Sequence, residues 1–281
     1  MSVVDSPRVP DEIRVHYEEL VDEANRITQG LGQLELYRTQ EIVRRFLPKR
    51  TVKILDVGGG AGVHAEWLLA DGHEVHLIDP IRSHIERATA ALGGLAAFSA
   101  KVGEARNLDR DDESCDAVLL LGPLYHLTNR EDRIRAWNEA KRVVKPAGLI
   151  FAAAISRFAS LFDGLSSGHL FDAEFRSVVE RDLREGQHRN PSGEPAWFTT
   201  AYFHGPGELE AEARDAGMIV LDVVGVEGLA GWLHQLDARW VDPDQREAIV
   251  WSARVLEDEP SLTDLSIHQI AVARREQTPP D

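Results

Sequence analysis

The hydrophobic and polar positions along the chain change their period several times, and each period predicts a different type of element. From Asp11 to about Leu47 apolar residues recur at helical spacing, with a break at 30–32, and Pro48 ends the second of two predicted helices. From Thr51 onwards, short runs of β-branched and apolar residues alternate with amphipathic stretches. This alternation predicts βαβ units and a parallel sheet.

Seven runs are predicted as strands, and helices are predicted between most of them. The strands are at 51–57, 73–79, 96–103, 115–122, 148–155, 218–226 and 266–275. The helices are at 62–72, 81–92, 130–144 and 207–217, and Pro146 is expected to end the third of these. The predicted fold class is therefore α/β, with a doubly wound seven-stranded sheet.

Two interruptions of this alternation divide the chain into four predicted parts. A helical cover (11–48) precedes the core (49–156), an insertion (157–205) follows, and the last part (206–275) completes the sheet around a helical insertion (227–262). The first insertion contains eight aromatic residues: Phe158, Phe162, Phe171, Phe175, Trp197, Phe198, Tyr202 and Phe203. They predict an apolar substrate pocket with a lid, a small hydrophobic core or a homodimer contact.

Composition and charge exclude several classes of partner. The 281 residues carry a formal net charge of -16, whereas proteins that bind nucleic acid through its phosphates normally present a basic face. The same charge disfavours an anionic membrane, and no apolar run approaches the ~18 residues of a spanning helix. Cys115 is the only cysteine, and the eleven histidines show no metal-ligand spacing. We expect a cytoplasmic protein with no nucleic-acid or membrane partner and no metal.

The most informative local feature is the glycine loop ILDVGGGAG at 54–62, which joins a predicted strand to a predicted helix. Such a loop lets a ligand approach the backbone closely beneath a helix N-terminus. The dinucleotide fingerprint fails when counted from Gly58, because Val63 occupies its last position. Counted from Gly60 it passes with Ala65, but that register begins two residues too far beyond the strand. No lysine follows, so the loop is not a P-loop.

Two carboxylates indicate what this loop binds. Asp56 at its mouth would repel a pyrophosphate but suits an ammonium or sulfonium group; the alternative is a helix cap or turn. Asp79, 21 positions after Gly58 at the tip of the second strand, can accept hydrogen bonds from ribose hydroxyls. The alternative for Asp79 is a strand-end turn, since Pro80 follows. Together the two residues favour a cationic nucleoside.

At this point the sequence resembles the class I S-adenosylmethionine-dependent methyltransferases of the small-molecule type. Four stretches carry the resemblance in order: LDVGGGAG at 55–62, HLIDP at 76–80, GEARNL at 103–108 and DAVLLLGPLYHL at 116–127. The resemblance covers about residues 50–155 and the final strand, which is antiparallel in this family. It implies S-adenosylmethionine as the cofactor and methyl transfer to an oxygen, nitrogen or carbon of a small, partly apolar acceptor.

The resemblance also implies a set of cofactor-binding residues. These are Gly58 and Gly60 beside the methionine portion, Asp79 at the ribose, Glu104 and Ala105 at the adenine, and Leu121 and Gly122 at the amino-acid end. Asp56 is expected in the same site. Arg38 could pair with the methionine carboxylate or form a surface ion pair, and Tyr17 could close over the cofactor or simply pack. Arg106 has no fixed role in the family and is interpreted as a surface charge.

Candidate catalytic residues follow from the reaction. Methyl transfer is an in-line displacement that depends on positioning, and a base is needed only when the nucleophile arrives protonated. Tyr125 and His126 follow the fourth strand, and His126 is the best candidate base, unless its loop only shapes the cofactor site. His204 after the aromatic insertion is a second candidate, whereas His169 is expected at the surface.

Other functions and variants were compared with this interpretation. Methylation of base amines is not expected, because 122–125 lacks the polar first residue and second proline of those enzymes, and one cysteine cannot support arsenic methylation. Two alternatives are a protein that binds S-adenosylmethionine without transferring its methyl group, and a nicotinamide-dependent oxidoreductase. Calorimetry with S-adenosylmethionine and its demethylated product tests the leading interpretation, and fluorescence titration with NADH tests the oxidoreductase. A protein that only binds the cofactor would show no turnover with a broad panel of acceptors.

Overall fold

A computed structural model describes residues 9–20, 26–233 and 235–277. Its strands are β1 Lys53–Val57, β2 Glu74–Asp79, β3 Phe98–Val102, β4 Cys115–Leu120, β5 Val144–Ser156, β6 Gln187–His188, β7 Ala201–His204, β8 Ile219–Gly225 and β9 His268–Arg274. All seven predicted strands are present. The short pair β6 and β7, inside the predicted insertion, was not expected.

The strands form one twisted α/β sheet whose topology confirms the doubly wound fold. Strands β3, β2, β1, β4 and β5 lie side by side and parallel, and β9 runs antiparallel between β5 and β8. Because β9 pairs with β5 along one edge as far as Ile155, β7 must pair with the other edge, beyond the point where β4 ends. The strand order reverses between β1 and β4, and such a switch point opens a ligand crevice at the carboxyl ends of the strands.

Helices cover both faces of the sheet. They are α1 Asp11–Val15 with a π-helical turn at His16–Leu20, α2 Leu31–Phe46, α3 Val63–Ala70, α4 Arg82–Leu92, α5 Pro123–His126, α6 Arg130–Val143, α7 Ala159–Ser167, α8 Ala173–Glu185, α9 Glu208–Asp215, α10 Leu236–Trp240 and α11 Pro243–Val255. Part of the first predicted helix, residues 21–25, lies outside the described residues. Helix α6 ends at Val143, because Val144 is already extended (ψ 138°), so Pro146 belongs to β5 and does not end the helix.

The core lies in two apolar layers, one on each face of the sheet. Alternate strand residues point to opposite layers: Leu55 packs beneath α6 and α9, whereas Ile54 packs beneath α2, α3 and α4. Both faces are buried, and this explains why the strands have near-continuous apolar sequences instead of an alternating pattern. In the described part of the chain, no helix is long and apolar enough to cross a membrane.

The aromatic residues of 157–205 pack mainly against one another and against the end of the sheet. Phe175 and Trp197 lie 5.2 Å apart in a small cluster, and Phe203 stacks on His188 at 4.7 Å. His169 is half-buried beside the first cluster, 5.7 Å from Phe175. Of the three expectations for this segment, the packing corresponds to the small hydrophobic core.

Candidate active site

A cavity of about 260 Å³ lies at the switch point of the sheet, between the glycine loop, the ends of β2, β3 and β4, and the N-terminal helix. Ten of the thirteen residues predicted from the sequence line it: Tyr17, Gly58, Gly60, Asp79, Glu104, Ala105, Leu121, Gly122, Tyr125 and His126. The other three, Arg38, Asp56 and His204, are not among the described lining residues. Nor is any of the eight aromatic residues of the insertion.

The glycine loop adopts a conformation that larger residues would disturb. Gly58 and Gly60 have positive φ angles of 72° and 56°. A Cβ atom on Gly58 would lie 2.8 Å from the ring of Pro123, so the loop after β1 and the loop after β4 are in close contact there. A Cβ on Gly60 would meet no atom of the described residues within 4 Å, because this glycine faces the cavity. The loop therefore leaves backbone exposed to a ligand.

Asp79 connects the glycine loop to the start of α4. Its Oδ2 accepts a hydrogen bond from the amide of Gly60 at 2.9 Å, and its Oδ1 accepts from the amide of Ile81 at 2.8 Å. The ring of His84 donates to Oδ1 from 3.1 Å. The Asp79 residue is only 4% exposed, yet it lines the cavity. A carboxylate oxygen accepts more than one hydrogen bond, so the group can still receive ligand hydroxyls.

Glu104 offers an unpaired acceptor at the end of β3. Its Oε2 accepts from the backbone amide and the Nε of Arg106, at 3.1 and 2.8 Å. Its Oε1 is buried and has no hydrogen-bond partner among the described residues. The sequence predicted Arg106 as a surface charge, and this was wrong: its side chain is 9% exposed, lines the cavity and also donates to Asp132 at 2.8 Å. A buried, unpaired carboxylate oxygen is costly unless a ligand donates to it.

Asp56 lies one layer below the cavity, which corrects the expectation that it faces the ligand. It is 1% exposed, and its Oδ2 has no hydrogen-bond partner among the described residues. Burial, with a smaller contribution from the charge of Asp79, raises the pKa of Asp56 to about 7. Because the side chain of a strand residue points to one face of the sheet, Asp56 packs against the underside of the glycine loop and cannot reach its open side.

Tyr17 and His126 meet across the cavity. The hydroxyl of Tyr17 lies 2.7 Å from Nε2 of His126, and Nδ1 of His126 lies 3.3 Å from the carbonyl oxygen of Thr200. Burial lowers the pKa of His126 to about 4, although the Thr200 carbonyl acts in the opposite direction. The ring is therefore neutral at physiological pH. Tyr125, its neighbour, donates its hydroxyl to the carbonyl of Leu121 at 3.2 Å.

His204 lies in a buried ion-pair network and not at the cavity, which corrects its prediction as a base. Its Nε2 is 3.4 Å from Glu212 Oε2, and Glu212 also binds the guanidinium of Arg133 at 2.8 Å. Burial lowers the pKa of His204 despite the hydrogen bond to Glu212. The side chain points towards α9, which carries Glu212.

Arg38 is likewise placed away from the cavity. Its side chain is fully buried, donates to the carbonyl of Val226 at 3.2 Å, and forms ion pairs with Glu41 at 2.6 Å and with Glu257. It is thus neither a surface ion pair nor a ligand of the cavity. Instead its bonds to Val226 and Glu257 connect α2 to the segment that follows β8 and to the end of the second insertion.

Several lining residues were not predicted from the sequence, namely Arg26, Glu35, His64 and His84. Arg26 pairs with Glu35 at 2.9 Å, and the charges of Arg26 and His268 outweigh burial and lower the pKa of Glu35 to about 2. Glu35, Glu227 and His268 bring ligand atoms within 4.8 Å of one another, although they are far apart in the sequence. His268 donates to Glu227 at 2.6 Å, and the two carboxylates raise its pKa to about 9 against the effect of burial.

Comparisons with known proteins agree with this geometry. The family described as "Methyltransferase domain" matches residues 54–148. A ubiquinone biosynthesis O-methyltransferase from Methylobacterium nodulans is 30% identical over 202 residues, 70% of this chain and 70% of that protein. Another from Pseudomonas savastanoi pv. phaseolicola is 30% identical over 181 residues, 62% of this chain and 67% of that protein. A solved SAM-dependent methyltransferase from Methanosarcina mazei has the same fold, with a TM-score of 0.57 and 18% identity over 84% of this chain and 98% of that one.

The fold and the comparisons define a class I methyltransferase, an enzyme that uses S-adenosylmethionine. The chain belongs to the S-adenosylmethionine-dependent methyltransferase family. The predicted cofactor and enzyme class are thereby confirmed, and the oxidoreductase alternative is set aside.

Proposed function

We propose that the enzyme binds S-adenosylmethionine in the cavity and methylates an oxygen atom of a small, partly apolar molecule. The observation that carries the cofactor part is the pair of acceptors at the switch point, Asp79 and the unpaired Oε1 of Glu104. A nucleoside supplies complementary donors, two ribose hydroxyls and an exocyclic amine. Oxygen is favoured as the nucleophile because the relatives at 30% identity are named O-methyltransferases.

The cavity-lining residues divide the site into three parts. Asp79 would accept the ribose hydroxyls, and Glu104 Oε1 the adenine amine, with the Ala105 amide as a donor to the same ring. Gly58 and Gly60, with Leu121 and Gly122 opposite, would present backbone groups to the methionine portion. When bound, the cofactor supplies an electrophilic methyl group on a sulfonium; the protein supplies binding, orientation and the exclusion of water.

For the methionine carboxylate, Arg26 replaces Arg38 as the proposed partner. Two arginines occur among the described lining residues, Arg26 and Arg106, and Arg106 is held between Glu104 and Asp132 at the adenine end. Arg26 with its partner Glu35 forms an ion pair that is complementary to a zwitterion, since an ammonium can face Glu35 while a carboxylate faces Arg26. The amino-acid end of S-adenosylmethionine is such a zwitterion.

The N-terminal segment supplies part of the apolar wall of the cavity, and we propose that this part bounds the acceptor. Val9, Pro10, Ile13 and Ile27 line the cavity opposite the glycine loop. The division into a cover (11–48), a cofactor-binding core (49–156), an insertion and a completing segment remains a prediction. In this proposal the cover, and not the aromatic insertion, closes over the reacting atoms. A homodimer likewise remains a prediction.

Calorimetry with S-adenosylmethionine and S-adenosylhomocysteine tests the proposal directly. Asp79→Asn should weaken both ligands roughly 10- to 100-fold, because it replaces a charged acceptor of ribose hydroxyls. Asp109→Asn is the matched control, since Asp109 is exposed and pairs with Lys101 outside the lining of the cavity. Absence of binding by both ligands to the wild-type protein would contradict the proposal, and equal affinities for the two variants would contradict the role of Asp79.

A further inference from the structure

Both ring nitrogens of His126 form hydrogen bonds within the protein, and these bonds determine which nitrogen carries the hydrogen. The Thr200 carbonyl oxygen only accepts, so Nδ1 of His126 carries the hydrogen that is donated to it. Since the ring is neutral, Nε2 carries no hydrogen and accepts from the hydroxyl of Tyr17 at 2.7 Å. The three groups therefore form a chain of hydrogen bonds with one direction, from Tyr17 through His126 to Thr200.

Tyr17 lines the cavity and contacts two of its histidines. Its ring contacts His84 edge-to-face at 5.9 Å between centroids, and His84 donates to Asp79. The same ring contacts His126, at 5.3 Å. Tyr17 therefore contacts both the histidine that donates to the proposed ribose ligand and a residue of the loop after β4, which is proposed to bind the methionine portion. The sulfonium of S-adenosylmethionine joins these two portions covalently.

The helix that carries Tyr17 is fastened to the segment that carries Thr200. Glu12 accepts a hydrogen bond from the Thr200 hydroxyl at 3.0 Å, and its backbone carbonyl accepts from Thr199 at 3.4 Å. The ring of His16 packs against Phe198 at 5.5 Å. Phe198, Thr199 and Thr200 therefore hold the N-terminal helix in place. The series of hydrogen bonds from Tyr17 to Thr200 is complete only when this helix packs against them.

We propose that Tyr17 is a catalytic residue, which takes the proton of a phenolic or enolic acceptor while it passes its own proton to His126. This inference deepens the proposed function and rests on it. His126 does not meet the acceptor directly in this arrangement, because Tyr17 occupies its Nε2. A phenolic oxygen can accept a hydrogen bond while its own hydrogen is donated.

The step conserves atoms and charge. The acceptor O–H proton moves to the Tyr17 oxygen, and the Tyr17 proton moves to Nε2 of His126, so Tyr17 ends neutral and His126 ends as imidazolium. The acceptor oxygen forms its new bond to the methyl carbon as the carbon–sulfur bond breaks, and sulfur keeps that electron pair. The positive charge of the sulfonium is thus replaced by that of the His126 imidazolium. The hydrogen bond from Nδ1 to the Thr200 carbonyl oxygen stabilises this charge.

The acidity of the acceptor follows from the weakness of this base. The lowered pKa of His126 makes it a poor base, so an aliphatic hydroxyl, which is about as weakly acidic as water, is not a suitable acceptor. A phenol, with a pKa near 10, is more acidic and gives up its proton to this base more readily. A neutral amine attacks through its lone pair and needs no base in the transition state. The apolar wall formed by Ile13 and Ile27 suits an aromatic ring.

Three acceptors of matched shape, para-propylphenol, para-propylaniline and para-propylcyclohexanol, test the inference with the full-length enzyme and S-adenosylmethionine. The phenol should be methylated and the cyclohexanol should not, whereas any methylation of the aniline, which needs no base, should be unchanged in Tyr17→Phe.

Protein variants test the two proposed proton carriers. Tyr17→Phe, which keeps the ring, should lower kcat for the phenol roughly 10²- to 10⁴-fold and leave the affinity for S-adenosylmethionine within about twofold. His126→Gln can still accept a hydrogen bond from Tyr17 but cannot take its proton, so it should show a similar loss. The double variant should lose no more than the worse single variant. Tyr37→Phe, on α2 and outside the cavity lining, is the control.

Nitrogen NMR of the histidines provides a readout that does not depend on turnover. In the ligand-free wild-type protein, His126 should show a protonated Nδ1 and an unprotonated, hydrogen-bonded Nε2. In Tyr17→Phe the Nε2 resonance should move to that of an imidazole nitrogen without a donor. A protonated Nε2, undiminished turnover in Tyr17→Phe, or methylation of the aniline but not the phenol would overturn this inference while cofactor binding persists. Loss of cofactor binding in wild-type enzyme would instead overturn the proposed function.

Discussion

The carboxyl group of Asp56 lies directly against the underside of Gly59, so that a Cβ atom on this glycine would be 2.5 Å from Oδ2 of Asp56. The middle glycine of the loop is therefore required for close packing over a buried acid, whereas Gly60 faces the cavity. Any side chain at Gly59 would displace the carboxyl group or the loop. The relationship also places an ionisable group directly beneath the cofactor site.

The buried acid makes the stability of the protein depend on pH. The folded-state pKa of Asp56 is about 7, well above the value of 3.8 expected for an unfolded chain, so the folded state binds this proton more tightly. The stabilisation of the folded state by this proton is fully present below pH 3.8 and is lost as the pH rises through about 7. Asp56→Asn removes this loss, and we expect it to raise the free energy of unfolding by roughly 4 kcal/mol at pH 8 and by much less at pH 4. Urea unfolding at the two pH values measures this, and an equal effect at both would contradict it.

Cofactor binding should release a proton from Asp56. Near pH 7 this group is about half protonated, and the cationic groups of S-adenosylmethionine above the loop would favour its ionised form. We expect release of up to about half a proton per molecule bound at pH 7, and less with S-adenosylhomocysteine, which lacks the sulfonium charge. Calorimetry in two buffers of different ionisation enthalpy measures the number. Asp56→Asn is the control, and the same observed enthalpy in both buffers for the wild type would rule out the linkage.

Arg26 and Arg38 should separate cofactor binding from stability. Arg26→Gln removes the proposed partner of the methionine carboxylate and should weaken S-adenosylmethionine about 10-fold, while methylthioadenosine, which has no carboxylate, binds as before. Arg38→Gln removes a fully buried charge from its ion pairs with Glu41 and Glu257 and leaves Glu257 with Arg45; it should cost roughly 3 kcal/mol of unfolding free energy, with cofactor affinity unchanged. The reverse pattern of affinities would restore Arg38 as the carboxylate ligand.

The contrast between these arginines shows what the sequence could predict. The strands, the glycine loop and Asp79 follow from local patterns, because a buried parallel sheet requires apolar runs and the loop between β1 and α3 requires glycine. Asp79 lies at a strand end, where its position is set by only a few neighbouring residues.

The environment of Arg38 could not be inferred in the same way. Its partner Glu257 is 219 positions away, and only the packing of α2 against the second insertion brings the two together. Glu35 and His268 meet through the same long-range packing, so no spacing in the sequence indicates their contact. Side chains on helices that cover the sheet are therefore the part of the site that sequence patterns predict least well.

Arg133 and Glu212 form a buried ion pair beside His204, the residue that the sequence suggested as a second base. Arg133 and Glu212 are both about 1% exposed, and the guanidinium lies over the ring of Tyr202 at 3.7 Å. Burial opposes ionisation of Glu212, but the hydrogen bonds from His204 and Arg133 outweigh it and lower its pKa. Glu212→Ala leaves Arg133 as an uncompensated buried charge, and we expect a loss of about 3–5 kcal/mol in unfolding free energy.

His204→Asn should have a smaller effect on stability and none on catalysis. His204 contributes one hydrogen bond to Glu212, at 3.4 Å, so its loss is expected to cost about 1 kcal/mol. Since its imidazole does not line the cavity, the rate of methyl transfer per folded molecule should equal that of the wild type. Turnover of the phenol, normalised to the folded fraction from thermal unfolding, measures this. A 100-fold or larger drop in turnover of the phenol by a stably folded His204→Asn protein would contradict this prediction. It would mean that His204 acts in catalysis and that β7 moves towards the cavity during the reaction.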